Sequence, residues 1–262
     1  MSHKTALITG ASSGIGKAFA EELAQKSYDL IIIARTTEAL NNIKNDLETK
    51  HGISVKVITQ DLTLPNACED IYGQLKQENI IVDLLINNAG FGDYGLFCDR
   101  PLDKQLKMIQ LNISALVTLT HLFLQDMRER KEGDIINVGS IAGYQPLPYL
   151  SVYAATKAFV LSFSEALWAE NKEFGITILA LCPGPTESNF GEVAEFELNQ
   201  NSDDMSLAKA EDVVKDALDA LSQKKSNSVT GGLVNQIIVN LPRFLPRELL
   251  LKAVEKQFKK NK

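Results

Sequence analysis

The feature that most constrains the fold of this chain is a regular alternation of short apolar runs with longer segments of helical period. Each run holds five to seven residues and is rich in Ile, Leu and Val. Several runs are apolar at nearly every position, which is typical of parallel strands that are covered on both faces. The pattern predicts strands over residues 5–9, 30–34, 55–59, 83–87, 134–138, 176–181 and 233–239.

Helices are predicted between these strands, over residues 15–26, 38–50, 66–79, 102–130, 152–173 and 207–223. A β-α alternation of this kind predicts an α/β fold in which helices cover both faces of a parallel sheet. We therefore expect a Rossmann-type, doubly wound three-layer sandwich with a mostly parallel seven-stranded sheet. Residues 1–262 are expected to form one domain.

Two segments depart from the alternation. Residues 186–206 follow a strand and turn polar, which is typical of a mobile loop and predicts a substrate lid. Residues 241–262 form a basic helix candidate with apolar positions. We expect this tail to pack on the domain's own core or on a partner subunit, and contact with a membrane surface is the less favoured alternative.

Composition excludes several classes of function. A formal charge of −6 and a pI near 5.2 argue against a nucleic-acid binder that works by charge. Three scattered cysteines and three scattered histidines give no metal-ligand spacing, so no metal is expected. The chain shows neither a signal peptide at its start nor an apolar run of membrane-spanning length, so a cytoplasmic location is expected.

A glycine-rich turn joins the first predicted strand to the first predicted helix. The turn has the spacing G-x-x-x-G-x-G, and its residues are Gly10, Ser12, Ser13, Gly14, Ile15 and Gly16. Glycines allow a tight turn and let a phosphate approach the backbone, while the helix N-terminus presents free N–H groups to the anion. Although the motif could be a purely structural turn, its position at the start of a βαβ series predicts dinucleotide binding.

The end of the second strand indicates which dinucleotide is bound. A carboxylate there would bind the adenosine ribose hydroxyls, whereas an arginine accommodates a 2′-phosphate. Ala34 leaves the acidic position empty, and Arg35 follows it. The sequence therefore predicts NADP(H), with NAD(H) as the less favoured cofactor.

Tyr153 and Lys157 are four residues apart, so a helix places both side chains on one face. An ammonium beside a phenol favours the phenolate and lowers its pKa. Moving that pKa from about 10 to about 7 takes roughly 4 kcal/mol. A cation about 4 Å away in an effective dielectric of about 20 supplies roughly that much. The spacing also arises by chance in many helices, but here it predicts an acid–base pair with a lowered tyrosine pKa.

Taken together, these motifs resemble the short-chain dehydrogenase/reductase family in its compact, single-domain branch. The resemblance rests on the order and spacing of residues 9–16 (TGASSGIG), Asp61, residues 87–90 (NNAG), Asn112, Ser140, Tyr153-x-x-x-Lys157 and Pro183-Gly184. It implies that Tyr153 is the general acid or base and that Ser140 orients the substrate oxygen. It further implies that Lys157 holds the nicotinamide ribose and that Asn112 helps to anchor a water leading to Lys157. Without the family, Asn112 reads as a satisfied polar group on a buried helix face.

The resemblance also implies cofactor contacts beyond the glycine turn. Asp61 and Leu62, after the third strand, are expected beside the adenine, although an aspartate there is also typical of a turn or cap. Asn88, Ala89 and Gly90 are expected under the adenosine ribose. Pro183, Gly184 and Thr186 are expected along the nicotinamide, in addition to Tyr153 and Lys157.

The sequence says less about the substrate. Its candidate walls are residues 91–94, residues 142–149 and the 187–206 segment, whose tyrosines and leucine predict a bulky or apolar carbonyl compound. The expected function is NADP(H)-dependent interconversion of a carbonyl and an alcohol by hydride transfer. A non-catalytic NADP(H)-sensing protein is the alternative, and a sugar-nucleotide epimerase or dehydratase is disfavoured by the glycine spacing. The resemblance implies a homodimer or homotetramer, with no nucleic acid as partner.

Overall fold

A seven-stranded parallel sheet forms the centre of the protein. The structure is a computed structural model that describes residues 3–187, 190–195 and 207–259. The strands are β1 (Thr5–Thr9), β2 (Asp29–Ala34), β3 (Val55–Thr59), β4 (Leu84–Asn87), β5 (Asp134–Val138), β6 (Thr177–Cys182) and β7 (Asn227–Val229). Their order in the sheet is β3-β2-β1-β4-β5-β6-β7, and every neighbouring pair is parallel. The predicted doubly wound α/β sandwich is thereby confirmed.

Helices cover both faces of the sheet. They are α1 (Gly14–Gln25), α2 (Thr37–His51), α3 (Ala67–Gln77), α4 (Leu102–Ile109), α5 (Leu116–Arg130), α6 (Ser151–Asn171), α7 (Phe190–Ala194), α8 (Ala210–Ser222), α9 (Gly232–Asn240) and α10 (Arg247–Phe258). Helices α4 and α5 are continuous through a π-helical turn, Gln110–Ala115.

The core has two halves because successive strand residues point to opposite faces. Ile8 and Ile32 pack against α1, α2 and α8 on one face. Leu7 and Ile31 pack against α3, α5 and α6 on the other face. Both faces of each central strand are therefore buried, and this explains why the strands are apolar at nearly every position.

The prediction of a seventh strand over residues 233–239 is wrong. These residues form α9, and the edge position beside β6 is taken by the short strand β7. A short apolar run cannot be assigned to strand or helix by its pattern alone. Two glycines with positive φ, Gly231 and Gly232, redirect the chain at this point, and the apolar residues then recur with helical spacing.

The two irregular segments lie partly outside the described residues. Within the predicted lid, 186–206, residues 188–189 and 196–206 fall outside, while the five-residue helix α7 is described. Within the tail, 241–262, residues 260–262 fall outside, and the remainder holds a 3₁₀ turn followed by α10. The predicted basic helix is therefore confirmed over Arg247–Phe258.

One helix in the described part of the chain, Leu102–Arg130, is long and apolar enough to cross a membrane by length and composition alone. This contrasts with the expectation that no segment has that length of apolar run. The helix packs against α3, α6 and the sheet and buries Asn112 and Thr120. Core helices of this kind pass the same test, so packing accounts for its apolar character.

The start of α1 depends on a close backbone approach that a matched pair of variants can measure. A Cβ on Gly16 would lie 2.3 Å from the Gly10 carbonyl oxygen, whereas a Cβ on Gly73, in the helix α3, meets nothing within 4 Å. Both changes to alanine favour the helix equally. We expect Gly73→Ala to stabilise the protein by about 0.5–1 kcal/mol and Gly16→Ala to destabilise it by about 1–3 kcal/mol. Urea unfolding measures both values, and equal stabilisation by the two would contradict the close approach.

Candidate active site

The site lies where the strand order reverses, at the carboxyl ends of β1 and β4. Chain segments on either side of such a switch diverge and leave a crevice in which ligands bind. Here the crevice is held together by Thr9 and Asn88. The Thr9 hydroxyl accepts the N–H groups of Asn88 and Ala89 at 2.9 and 3.0 Å. The Asn88 amide donates to the carbonyl oxygens of Thr9 and Gly10 at 2.9 and 3.1 Å. The Asn88 side chain therefore braces the glycine turn.

The glycine turn has the shape that the sequence predicts for a phosphate cradle. Gly10 and Gly14 have φ angles of +65° and +52°, which other residues adopt only with strain. A Cβ on Gly10 would lie 2.9 Å from the Ala89 Cα, so the two loops touch. Residues 12–15 carry the chain into the first turn of α1, where backbone N–H groups lack helical partners. These N–H groups can hold an anion.

Arg35 and Asp61, which the sequence predicts beside the adenosine, follow β2 and β3 at the same edge of the sheet. Arg35 follows β2 and is exposed, and no ion pair within 4 Å involves it among residues 3–187, 190–195 and 207–259. Asp61 accepts hydrogen bonds from the N–H and the hydroxyl of Thr63 at 2.9 and 2.8 Å. It therefore closes a turn, which is the structural role that the sequence offered as the alternative to adenine binding. Burial alone would raise the pKa of Asp61, but the bonds from Thr63 and the nearby Arg35 hold it below its usual value. Leu62 is buried beside it.

Asn112 joins three elements of the site. Its Oδ1 accepts the Phe91 N–H at 3.1 Å, and its Nδ2 donates to the Phe91 carbonyl at 3.0 Å and to the Thr156 hydroxyl at 3.1 Å. Thr156 in turn donates to the Tyr153 carbonyl at 2.7 Å. Asn112 lies in the π-helical turn, a distortion that is frequent at functional sites. Its amide therefore holds the loop after β4 against the helix that carries Tyr153.

Lys157 is almost fully buried beneath this loop, with 6% of its surface exposed. Its Nζ donates to the Val138 carbonyl at 2.8 Å and lies 5.8 Å from the centroid of the Tyr153 ring. A Cβ on Gly90 would lie 3.6 Å from the same Nζ. Burial lowers the pKa of Lys157 to about 8. The ammonium thus sits between the ends of β4 and β5 and remains mostly charged at neutral pH.

Tyr153 does not have the lowered pKa that the spacing predicts. Burial raises the pKa of Tyr153 to about 12, and a hydrogen bond with Ser140 opposes the rise. The ring keeps a partly exposed edge, so it is the surroundings of the hydroxyl that disfavour the phenolate. The prediction was wrong because desolvation dominates this pKa, while the Lys157 ammonium donates to the Val138 carbonyl. Ser140, which also accepts the Ala142 N–H at 3.1 Å, is the neighbour that lowers this pKa.

The residues predicted along the nicotinamide lie in the loop after β6. The Pro183 carbonyl accepts the Ile141 N–H at 3.0 Å, which joins this loop to the one that carries Ser140. Thr186 donates to the Gly184 carbonyl at 2.9 Å. A Cβ on Gly184 would lie 2.2 Å from the Asn235 Nδ2. Helix α9, which the sequence had assigned to a strand, therefore packs directly on this loop.

Phe190, which belongs to the 187–206 segment predicted as a substrate wall but was not singled out by the sequence, lies against Tyr153. The centroid of the Phe190 ring is 5.1 Å from that of Tyr153. A Cβ on Gly92 would lie 2.6 Å from the Phe190 Cζ. The missing side chain at Gly92 therefore makes the room that Phe190 occupies. A glycine next to an aromatic lid is the one sequence signal that could have indicated this packing.

A group of ion pairs, also missed from the sequence, ties α7 to the opposite wall. Asp93 is buried and pairs with Arg100 at 2.8 Å and with Lys104 at 2.6 Å. Both cations also reach the exposed Glu195 at 2.9 Å. Hydrogen bonds from these two cations lower the pKa of Glu195 to about 2. The start of the lid is therefore anchored by charges that are far apart in the sequence.

The outer wall of the crevice is apolar. A buried cluster beside Tyr153 joins the loop before α6 to helix α10, and the Tyr94 hydroxyl donates to the Phe258 carbonyl. Its buried members are Tyr94, Ala142, Leu147, Leu150, Ala154, Leu250 and Val254. The structure thus packs Tyr94, Leu147 and the tail residues Leu250 and Val254 into one apolar cluster next to Tyr153.

Comparison with known proteins agrees with this geometry. Residues 4–197 match the family model described as short chain dehydrogenase. The very-long-chain 3-oxoacyl-CoA reductase of Mus musculus is 31% identical over 257 residues, which cover 95% of this chain and 78% of that protein.

Two solved structures are similar over nearly their full length. A short-chain dehydrogenase from Sphingobium yanoikuyae in complex with NADPH is 28% identical, with a TM-score of 0.82 and coverage of 99% of this chain and 96% of that one. The bulky-bulky ketone specific alcohol dehydrogenase from Comamonas testosteroni is 27% identical, with a TM-score of 0.78 and coverage of 93% of each chain. Sequence, fold and site geometry agree: the chain belongs to the short-chain dehydrogenase/reductase family of oxidoreductases.

Proposed function

We propose that this protein is an NADPH-dependent carbonyl reductase whose substrates are bulky, apolar ketones. The observation that carries the proposal is the grouping of Tyr153, Ser140 and the buried Lys157 beside the glycine turn. The four-residue spacing on α6 and the pairing of β4 with β5 bring these groups to one edge of the sheet. Such an arrangement can hold a carbonyl oxygen and give it a proton.

The residues of the crevice fit NADP(H). The close packing that Gly10 and Gly16 allow lets the glycine turn lead directly into α1, and the N–H groups at the start of α1 can bind a pyrophosphate. Arg35, exposed and without an ion pair among the described residues, suits a 2′-phosphate. Bound there, the cofactor supplies the hydride for carbonyl reduction.

The protein's own groups suit the reductive direction. Because the pKa of Tyr153 is about 12, its hydroxyl is protonated at neutral pH and can act as a general acid. Ser140, the neighbour that lowers the pKa of Tyr153, can orient the same substrate oxygen. The alkoxide that forms on the substrate is a stronger base than a phenolate, so it takes the proton from Tyr153. Lys157, mostly charged at neutral pH, stabilises the phenolate that remains.

The apolar wall supports a bulky substrate. Tyr94 and Leu147 belong to the apolar cluster on which Tyr153 packs, and Phe190 lies against the Tyr153 ring. The cations Arg100 and Lys104 are paired with Asp93 and Glu195. Residues 91–94 and 142–149 contain no lysine or arginine with which a small keto acid could pair. The similarity to a very-long-chain 3-oxoacyl-CoA reductase and to a bulky ketone reductase points in the same direction. We therefore place long-chain 3-oxoacyl thioesters and bulky ketones first among candidate substrates.

Removing the proton donor should stop turnover without preventing cofactor binding. We expect Tyr153→Phe to lower the rate of NADPH consumption with a bulky ketone by about 10²–10⁴-fold, the usual contribution of a general acid. NADPH binding, followed by fluorescence, should stay within about threefold, since the change removes one oxygen atom. Tyr72→Phe is the matched control, because the Tyr72 hydroxyl bonds to Asp126, far from the site. A Tyr153→Phe enzyme with near wild-type turnover would refute the assignment, and an inactive wild type that binds NADPH would favour the cofactor-sensing alternative.

Charge removal at Arg35 tests the choice of cofactor. We expect Arg35→Gln to weaken kcat/KM for NADPH by about 10–100-fold, because a charge-assisted bond to phosphate contributes about 1.5–3 kcal/mol. The value for NADH should hardly change. Arg128→Gln serves as the control, since Arg128 is exposed and lies over Phe174. An equal loss of kcat/KM with NADPH and with NADH would show that Arg35 does not bind the 2′-phosphate.

The buried Lys157 predicts a characteristic dependence of stability on pH. Its pKa is about 8 in the folded protein and about 10.5 in the unfolded chain, so between these values the unfolded chain binds more protons. The contribution of Lys157 to the free energy of unfolding must therefore rise as the pH increases from about 8. Urea unfolding of the wild type and Lys157→Met at pH 7 and pH 9.5 isolates this effect, because other titrating groups are common to both. The same pH dependence in both proteins would contradict the burial of this charge.

A further inference from the structure

The C-terminal segment exposes an unusual concentration of large apolar side chains. Eight of them lie between residues 233 and 251 and are 38% to 82% exposed, with Leu233 and Phe244 the most exposed. We call this set the C-terminal apolar face; its members are Leu233, Val234, Ile237, Leu241, Phe244, Leu245, Leu249 and Leu251. Contiguous exposed apolar surface on a protein marks a surface that binds something.

The exposed residues lie on α9, on α10 and in the turn between these helices. On α9, Leu233 and Ile237 are a helical turn apart and face outward, while Val239 is 3% exposed. On α10, Leu250 and Val254 are buried against the cluster beside Tyr153. The expected packing of the tail on the domain's own core therefore holds for its inner side. The outer side is left for another occupant.

The charge around this face differs from that of the rest of the chain. Residues 241–262 contain seven Lys and Arg against two Glu, in a chain whose formal charge is −6. In the described part of the tail, Arg243, Arg247, Lys252, Lys256 and Lys259 are exposed. None of these five forms an ion pair within 4 Å among the residues that the structure describes. The two acidic neighbours on α10, Glu248 and Glu255, are also exposed.

We propose that the C-terminal apolar face docks on the surface of a membrane that contains anionic lipids. A helix pair with exposed leucines and phenylalanine flanked by unpaired lysines and arginines can bury its apolar side chains at the headgroup boundary while its cations bind lipid phosphates. The acidic remainder of the chain is repelled by the same surface, so it points away from the membrane. This charge asymmetry favours a lipid surface over an uncharged protein partner as the occupant.

Docking also has a consequence for the site. The inner side of α10 contacts Tyr94 and Leu147, the cluster that flanks Tyr153. A membrane bound to the outer side therefore lies next to the substrate wall. This consequence rests on the proposed reductase function, whereas the docking itself does not.

Vesicle flotation with the full chain tests the proposal. We expect the protein to float with phosphatidylcholine vesicles that contain phosphatidylserine, and to bind more weakly to phosphatidylcholine alone or at high salt. The double variant Leu233→Asp with Phe244→Asp should lose at least about tenfold in vesicle affinity, because both side chains must enter the headgroup boundary. Arg243→Gln with Arg247→Gln should weaken binding to the anionic vesicles by a similar factor and leave the weak binding to neutral vesicles unchanged.

The control is Ile81→Asp, which makes the same kind of change at an exposed apolar residue, 56% exposed, outside the face. It should leave vesicle binding unchanged. Wild-type protein that does not float with the anionic vesicles overturns the proposal, as does a double variant that floats as well as the wild type. Light scattering without lipid tests whether a second copy covers the face instead. If the wild type does not bind vesicles but forms an oligomer, and the double variant Leu233→Asp with Phe244→Asp is a monomer, the face binds a second copy. NADPH consumption by the same variants is read separately, so failure of docking and failure of the proposed reductase function are distinguishable.

Discussion

The rest of the site depends on a close contact between two backbone segments at the carboxyl ends of β1 and β4. The carbonyl of Gly10 lies where a Cβ of Gly16 would be, and the Gly10 Cα faces that of Ala89. Hydrogen bonds from Asn88 and to Thr9 hold the contact. Because Gly10 and Gly16 have no side chains, α1 can begin directly beneath the crevice. This contact between Gly10, Gly16 and Ala89 positions the free N–H groups at the start of α1. It also positions the loop after β4, which contacts Asn112.

Burial, more than proximity, determines the electrostatics of the reacting groups. Lys157 and Tyr153 are neighbours on one helix face, yet burial moves the pKa of the phenol up and that of the ammonium down. The ammonium is directed at the Val138 carbonyl, and Ser140 supplies the hydrogen bond that opposes the rise at Tyr153. The outcome is a protonated phenol beside a cation that is still mostly charged at neutral pH. That combination suits donation of a proton, which is the reductive direction.

The substrate side is built from segments that are far apart in the sequence and lack family motifs. Ion pairs from Arg100 and Lys104 to Asp93 and Glu195 anchor the start of the lid, and Phe190 enters the gap above Gly92. The tail closes the other side through the inner face of α10. Unlike the glycine turn, the ion pairs, the Phe190 contact and the packing of the tail each depend on residues that are far apart in the sequence. These segments can therefore vary between relatives and change which substrate is accepted.

By itself, the sequence determined the fold class, six of the seven strands and the membership of the family, because local patterns carry that information. Parallel strands buried on both faces must be apolar throughout, and a phosphate turn requires glycine at particular positions, so both can be recognised residue by residue. Only the tertiary structure decided that residues 233–239 form a helix, since the place beside β6 is filled by Asn227–Val229. It also decided the pKa of Tyr153, the position of Phe190 and the ion pairs of Asp93. Desolvation and contacts between distant residues arise only when the chain is folded, and for that reason no pattern in the sequence indicated them.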